Sequence, residues 1–375
     1  MLLFLLVICS LCVADPSAFR APNGLLKLRP TTVYRPRSLD AFHRARWRSR
    51  DLEECEADLW DSHIVEGPDV TDRHTLSQLA RMSANAYTAP GRTRYELDPA
   101  WSASFPFGWE DSENGFRGHV FMSSDNSTVV LSIKGTTPFG GPTSKVDKHE
   151  DNLLFSCCCA RVDSSWILRK VCDCYRRSWR CDDTCLSKAV IEDSIFYSVG
   201  VKLINDLFLL YPTANVWIVG HSLGGSLAAL LGSTFGLPVV AFESPGERLA
   251  AQRLHLPLPP SDGPLGHFLP AVTHVYHNSD PIPQGLCTGP RSFCSQAGYA
   301  LETRCHLGKS IVFDTVNKLG WGVHLRTHPI KQLISVLDTD GIEWEEGRSV
   351  PLARAEVDCV DCFKWEFGDY DNDAL

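Results

Sequence analysis

A chain of 375 residues with 44% hydrophobic content has enough length and apolar side chains for a sizeable core. Its formal net charge of −9 and the absence of any recognition module argue against a nucleic-acid partner. No internal repeat and no apolar run of 18 residues occurs, so neither a solenoid nor a bilayer-spanning stretch is predicted.

The chain opens on an apolar stretch of 13 residues, Leu2 to Ala14, with Cys12-Val13-Ala14 as a cleavage-site pattern. Residues 1–14 read as a signal peptide or a signal anchor. Arg20, Lys27, Arg29, Arg35 and Arg37 follow it and no Lys or Arg precedes it, a charge order that disfavours a type II anchor and favours cleavage. Either way the body enters the secretory lumen. Residues 15–60 turn from basic to acidic and read as a solvated linker, or as an arm that approaches anionic lipid headgroups.

A catalytic domain is expected over 61–345. Asn126-Ser127-Thr128 is a glycosylation sequon, usable in that compartment. Thr128 to Lys134 reads as a strand running into Gly135-Thr136-Thr137, where the Thr136 backbone N–H is placed to serve an oxyanion. Residues 139–187 form a cysteine-rich insert between this strand and the next predicted helix. Its Leu153-Leu154-Phe155, Trp166-Ile167-Leu168, Trp179 and interleaved arginines suit either a lipid interface or a small satellite core. Ala189 to Tyr211 reads as one helix with Ile195, Val199, Leu203 and Leu207 as its core stripe.

Ala214 to Val219 is short, apolar and β-branched, and Ser226 to Leu231 is rich in helix formers. Between them stands Gly220-His221-Ser222-Leu223-Gly224-Gly225. Strand, G-x-S-x-G, helix is the nucleophile-elbow context, with Ser222 as nucleophile and the Leu223 N–H as an oxyanion donor. The acid and base should follow in that order. Asp280 comes just after a predicted strand, His274 to Asn278, with Asp314, Asp338 and Asp340 as weaker rivals. His324 and His328 both precede a predicted helix, Ile330 to Leu337, and the pattern does not separate them. His306, beside Cys305, is assigned to a disulfide-pinned loop.

Two of the 15 cysteines lie in the leader, which leaves an odd thirteen for the body. In a secretory lumen they read as disulfides of undetermined pairing. Zinc ligation by Cys172, Cys174, Cys181 and Cys185 is disfavoured because no histidine lies among them. A C-terminal tail, 346–375, carries the pair Cys359 and Cys362.

Ile133-Lys134-Gly135-Thr136-Thr137 together with Gly220 to Gly225 resembles the class 3 lipases. The segments Asp151 to Val162, Val171 to Tyr175, Cys181 to Leu186, Arg253 to Pro260 and Cys359 to Trp365 resemble, more narrowly, the fungal autophagy-related vacuolar lipases. The resemblance implies an α/β-hydrolase fold of the class 3 lipase type with a disulfide-rich cap. It matches Asp280 to the acid of an N-x-D-P-I segment and His328, rather than His324, to the base. It further implies membrane-lipid substrates, phosphatidylserine or triacylglycerol, an affinity for anionic phospholipids including phosphoinositides, and no metal or cofactor. The family acts on autophagic bodies and multivesicular-body vesicles in the vacuole, usually from an uncleaved signal anchor. Most of its members carry Asp or Asn where His324 stands here.

Overall fold

The computed structural model describes residues 26–50, 59–110, 115–137, 144–159, 171–258, 269–287, 292, 294 and 297–370. The leader, the acidic stretch 51–58 and the segment Trp166-Ile167-Leu168 lie outside them.

The first elements are β1 (Leu28–Pro36), α1 (Leu39–Arg50), β2 (Trp60–Pro68) and α2 (Arg73–Asn85). β1 and β2 pair along their full length as an antiparallel ribbon. Much of the expected linker is therefore folded. Val33 and Phe42 are buried among the basic residues and anchor the ribbon and α1. The Trp217 indole N–H donates to Glu66 O at 2.8 Å and joins the ribbon to the sheet.

β3 (Ala103–Phe107), β4 (Gly118–Met122) and β5 (Thr128–Ile133) form an antiparallel meander. Asn126 is exposed at the β4–β5 turn with φ 58°. From β5 the sheet continues in parallel through β8 (Asn215–His221), β9 (Val239–Phe242), β10 (Val272–His277) and β11 (Lys309–Phe313). A short antiparallel β12 (Arg354–Ala355) closes the far edge. The order of these eight described strands is β12-β11-β10-β9-β8-β5-β4-β3.

Alternation along β5 splits the core in two. Val129, Leu131 and Ile133 pack with α6 (Leu223–Phe235) and α7 (Arg248–Arg253), while Val130 faces the cluster of α2 and α9 (Ile330–Asp338). A largely parallel sheet covered by helices on both faces, with its serine turn after a central strand, is the α/β-hydrolase fold.

The expected single helix over 189–211 is two, α4 (Asp183–Asp193) and α5 (Ile195–Leu210). The break is held by buried Glu150, which accepts from the Ile195 N–H at 2.8 Å and the Ser194 hydroxyl at 3.1 Å. The buried residues of α5 are Phe196, Tyr197, Gly200, Ile204 and Leu207; of the expected stripe Leu207 is buried, Val199 and Leu203 are half-buried against the core, and Ile195 is exposed. The buried face centres on Gly200, where α6 comes so close that a Cβ would meet Leu231 Cδ1 at 2.5 Å.

In the insert, α3 (Ser144–Phe155) buries Leu153, Leu154 and Phe155 in the main core, which removes them from any lipid interface. Cys157, Cys158 and Cys159 fan out to Cys362, Cys181 and Cys172, and Cys174 pairs with Cys185. The four cysteines weighed as zinc ligands are all in disulfides. Cys287–Cys294 and Cys305–Cys359 complete the described set, and Cys55 lies outside the described residues. The C-terminal segment is tied in as well: β13 (Glu366–Gly368) runs parallel to β7 (Arg180–Asp182), which also pairs with β6 (Tyr175–Arg176). No described helix is long and apolar enough to cross a membrane.

Candidate active site

β8 ends at His221, and Ser222 turns the chain at φ 58° and ψ −133°. Such a conformation costs a non-glycine residue roughly 1–3 kcal/mol and persists only where the surroundings hold it. Here the Ser222 N–H donates to Phe242 O at 2.9 Å, and Ser222 O accepts the Ser226 N–H at 3.2 Å. The elbow glycines are steric requirements. A Cβ on Gly220 would stand 2.2 Å from Gly224 O, and one on Gly224 would stand 2.2 Å from Ile133 O.

His328 Nε2 lies 2.9 Å from Ser222 Oγ, and its Nδ1 lies 2.7 Å from Asp280 Oδ2. A carboxylate can only accept, so Nδ1 carries a proton and Nε2 can accept from the serine hydroxyl. Asp280 is fully buried, and its Oδ1 accepts the Ile282 N–H at 2.9 Å. Burial raises its pKa, but the charge and hydrogen bond of His328 outweigh that and hold it below the usual range.

His324 borders the same cavity as Ser222 and His328 but is engaged differently. Its Nδ1 accepts the Arg326 N–H and caps the short 3-10 turn Leu325–Thr327 that leads to His328. The rival acids are accounted for too. Asp314 caps α8 (Thr315–Leu319), Asp338 pairs with Arg81, and Asp340 with Arg73.

Three supporting residues had no clear signal in the sequence. The buried His221 accepts on Nδ1 from the Tyr87 hydroxyl at 2.8 Å and donates from Nε2 to His328 O at 3.0 Å, fixing the His328 backbone. Burial, then the neighbouring His328 charge, lowers His221 to about 3, so it stays neutral. Glu243, fully buried at the end of β9 with φ 46°, faces Asp280. Burial and Asp280 together raise its pKa well above the usual range. Its Oε2 has no hydrogen-bond partner among the described residues, and a Glu243 that keeps its proton can donate it to Asp280.

Segment 133–136 lies directly against the elbow, because a Cβ on Gly135 would meet His221 O at 2.2 Å and Ser222 Cβ at 3.2 Å. Thr136 and Leu223 therefore flank Ser222. The Thr136 hydroxyl donates to buried Asp151, whose pKa burial pushes up to about 8. Asp147 accepts from the Thr137 N–H at 2.9 Å and from Lys134 Nζ at 3.1 Å, anchoring the loop. Ser222, His328 and Thr136 open onto a cavity of about 540 Å³ with walls that include Ile282, Leu301 and Leu325.

Residues 169–239, which include the elbow, match the family described as Lipase (class 3). The chain is 43% identical to the protein named "Putative lipase ATG15" of Cryptococcus neoformans var. neoformans serotype D (strain B-3501A), over 86% of this chain and 73% of that one. The Mycosarcoma maydis protein of that name is 43% identical over 83% and 69%, and that of Saccharomyces cerevisiae (strain ATCC 204508 / S288c) 45% over 84% and 60%. Among solved structures, the Lip2 lipase from Yarrowia lipolytica aligns with 64% of this chain and 77% of its own at 17% identity and a TM-score of 0.34. The serine elbow, the disulfide-rich insert and identity above 40% over most of the chain agree: this protein belongs to the ATG15 family of class 3 lipases, serine-type carboxylic ester hydrolases.

Proposed function

We propose that Ser222, His328 and Asp280 are the catalytic triad of a lipase that cleaves acyl esters of membrane glycerolipids. Ser222 Oγ attacks the ester carbonyl while His328 Nε2 takes its proton, and Asp280 holds the imidazole by Nδ1–H and stabilises the imidazolium. The Thr136 and Leu223 N–H groups bind the tetrahedral oxyanion. His328 then protonates the leaving alcohol, and water, activated by the same imidazole, releases the fatty acid from the acyl-enzyme.

The 2.9 Å and 2.7 Å contacts on either side of His328, at the mouth of a cavity with apolar walls, carry this reading. The family name and the lumenal character of six described disulfides support a role in lysing autophagic bodies and multivesicular-body vesicles in the vacuole. Phospholipid, phosphatidylserine in particular, and triacylglycerol are the proposed substrates, with anionic headgroups including phosphoinositides as membrane contacts.

The test incubates the full chain, made through the secretory pathway, with mixed-headgroup liposomes and emulsified triacylglycerol. Released fatty acid and lysolipid are followed by mass spectrometry beside a Ser222→Ala control. Ser222-dependent lysolipid is the expected result. Cleavage of a small soluble ester with no lipid cleavage would replace this reading with a secreted carboxylesterase. A Ser222 inert to fluorophosphonate in folded protein would leave a lipid-binding protein.

A further inference from the structure

Glu247, His274 and His306 come from three separate elements and meet in the interior. Glu247 stands just before α7, His274 lies within β10, and His306 sits in the loop before β11. All are at most 1% exposed, and none lines the cavity over Ser222. One donor atom from each lies within 4.8 Å of the other two.

His274 Nε2 is 3.1 Å from Glu247 Oε1, yet the pair is not aligned as a hydrogen bond. Among the described residues His274 Nε2 and Glu247 Oε2 have no hydrogen-bond partner. Buried polar atoms left this way forfeit their hydration without recompense, so a shared partner is called for. Tetrahedral ligands about 2.0–2.1 Å from one ion lie roughly 3.3 Å apart, close to the spacing this pair already has.

The remaining ring nitrogens are held as those of metal-bound imidazoles are. His274 Nδ1 is 2.9 Å from Ser244 Oγ. His306 Nδ1 is 2.9 Å from Glu356 Oε1, and Glu356 is itself fixed by the Ser310 hydroxyl at 2.6 Å and the His306 N–H at 2.9 Å. Once His306 has released its Nε2 proton, the two carboxylates and two neutral imidazoles carry a formal charge of −2, which a divalent cation cancels. The Cys305–Cys359 disulfide pins the segments that carry His306 and Glu356. A second cavity, of about 260 Å³, is bordered by His306, Glu356 and Gly308 and offers access.

We propose that Glu247, His274 and His306 bind one divalent transition-metal ion, zinc by the nitrogen and oxygen character of the ligands. Glu247 supplies a carboxylate oxygen, and both histidines bind through Nε2. His306 Nε2 donates to Ser244 O at 3.1 Å, so its proton leaves to solvent as the ion arrives. The freed Ser244 carbonyl or a water takes the fourth position. The site is structural, since three protein side chains from different elements close on it inside the core. Glu243 immediately precedes Ser244, so the ion also anchors the segment that presents Glu243 to Asp280.

The test takes the full chain purified through the secretory pathway and measures its metal content by plasma mass spectrometry. The chelated protein is then reloaded with Co²⁺. About one zinc per chain is expected, with a tetrahedral Co²⁺ spectrum free of thiolate charge-transfer bands. Chelation should lower Tm and zinc should restore it. Glu247→Gln and His274→Gln should lose the bound metal, and Glu356→Gln should weaken it about 10–100-fold. If either ligand variant fails to fold, the wild-type cobalt spectrum still decides. Wild-type protein that takes up no stoichiometric metal after reloading, a thiolate-type spectrum, or unchanged metal in the folded ligand variants would each overturn the proposal.

Discussion

His328 and His324 lie four residues apart in one loop, and their hydrogen bonds divide the work. His328 reaches Ser222 and Asp280, while His324 caps the turn that presents it. His328→Ala should therefore lower kcat by about 10⁴-fold or more. His324→Ala should cost less than about tenfold, through looser positioning. Comparing kcat of the two variants, with circular dichroism as a folding check, tests this; equal losses would refute the division. Glu243 acts through Asp280 rather than on substrate. Glu243→Gln keeps a donor and should stay within a few-fold of wild type. Glu243→Ala leaves Asp280 short of a hydrogen bond worth about 1–3 kcal/mol and should lose roughly 5–100-fold in kcat/KM. The ordering of the two variants is the readout, since a purely packing role would penalise both by volume alone.

Among the elements, the elbow is the most tightly determined. β5 passes so close to the first turn of α6 that only a glycine fits at position 224. Gly224→Ala should destabilise the fold by about 3 kcal/mol, measured by urea denaturation, because the atom it meets is backbone and cannot rotate away. The break between α4 and α5 shows the other kind of determination. Its residues are acceptable helix formers, and what ends α4 is Glu150 reaching in from α3 to take the Ile195 N–H. Periodicity cannot register a partner that lies 45 residues away.

Across the whole molecule, buried carboxyls set the response to pH. Burial pushes Glu150 up to about 7 and Asp151 to about 8, and it raises Glu243, Glu302 and Asp361. An acid whose folded pKa exceeds its unfolded value holds its proton better when folded. Its contribution therefore falls as pH rises between those two values, roughly pH 4 to 8. His221 and His277, lowered by burial, act oppositely below about pH 6.5. Five raised acids outweigh two lowered histidines, so Tm should be higher near pH 5.5 than near pH 8. Asp151→Asn and Glu150→Gln should flatten that slope. A Tm that rises from pH 5.5 to 8 would contradict the balance.

The sequence by itself determined the local chemistry. β-branched runs made β5 and β8 legible, the glycine spacing made the Ser222 turn legible, and the position of Asp280 after a strand made the acid a candidate. These signals are short-range, because strand pleat and elbow sterics act within a few residues. Residues alone left His324 and His328 open, and the family pattern favoured the one that faces Ser222. Only the tertiary structure decided which cysteines pair, that the basic arm folds back as β1 and α1, and that Leu153 to Phe155 belong to the core. It alone placed Glu243 against Asp280 and gathered Glu247, His274 and His306. Those arrangements depend on packing between segments that are not neighbours in the chain, as far as 205 residues apart for Cys157 and Cys362, where a side chain's partner is set by the path of the whole chain.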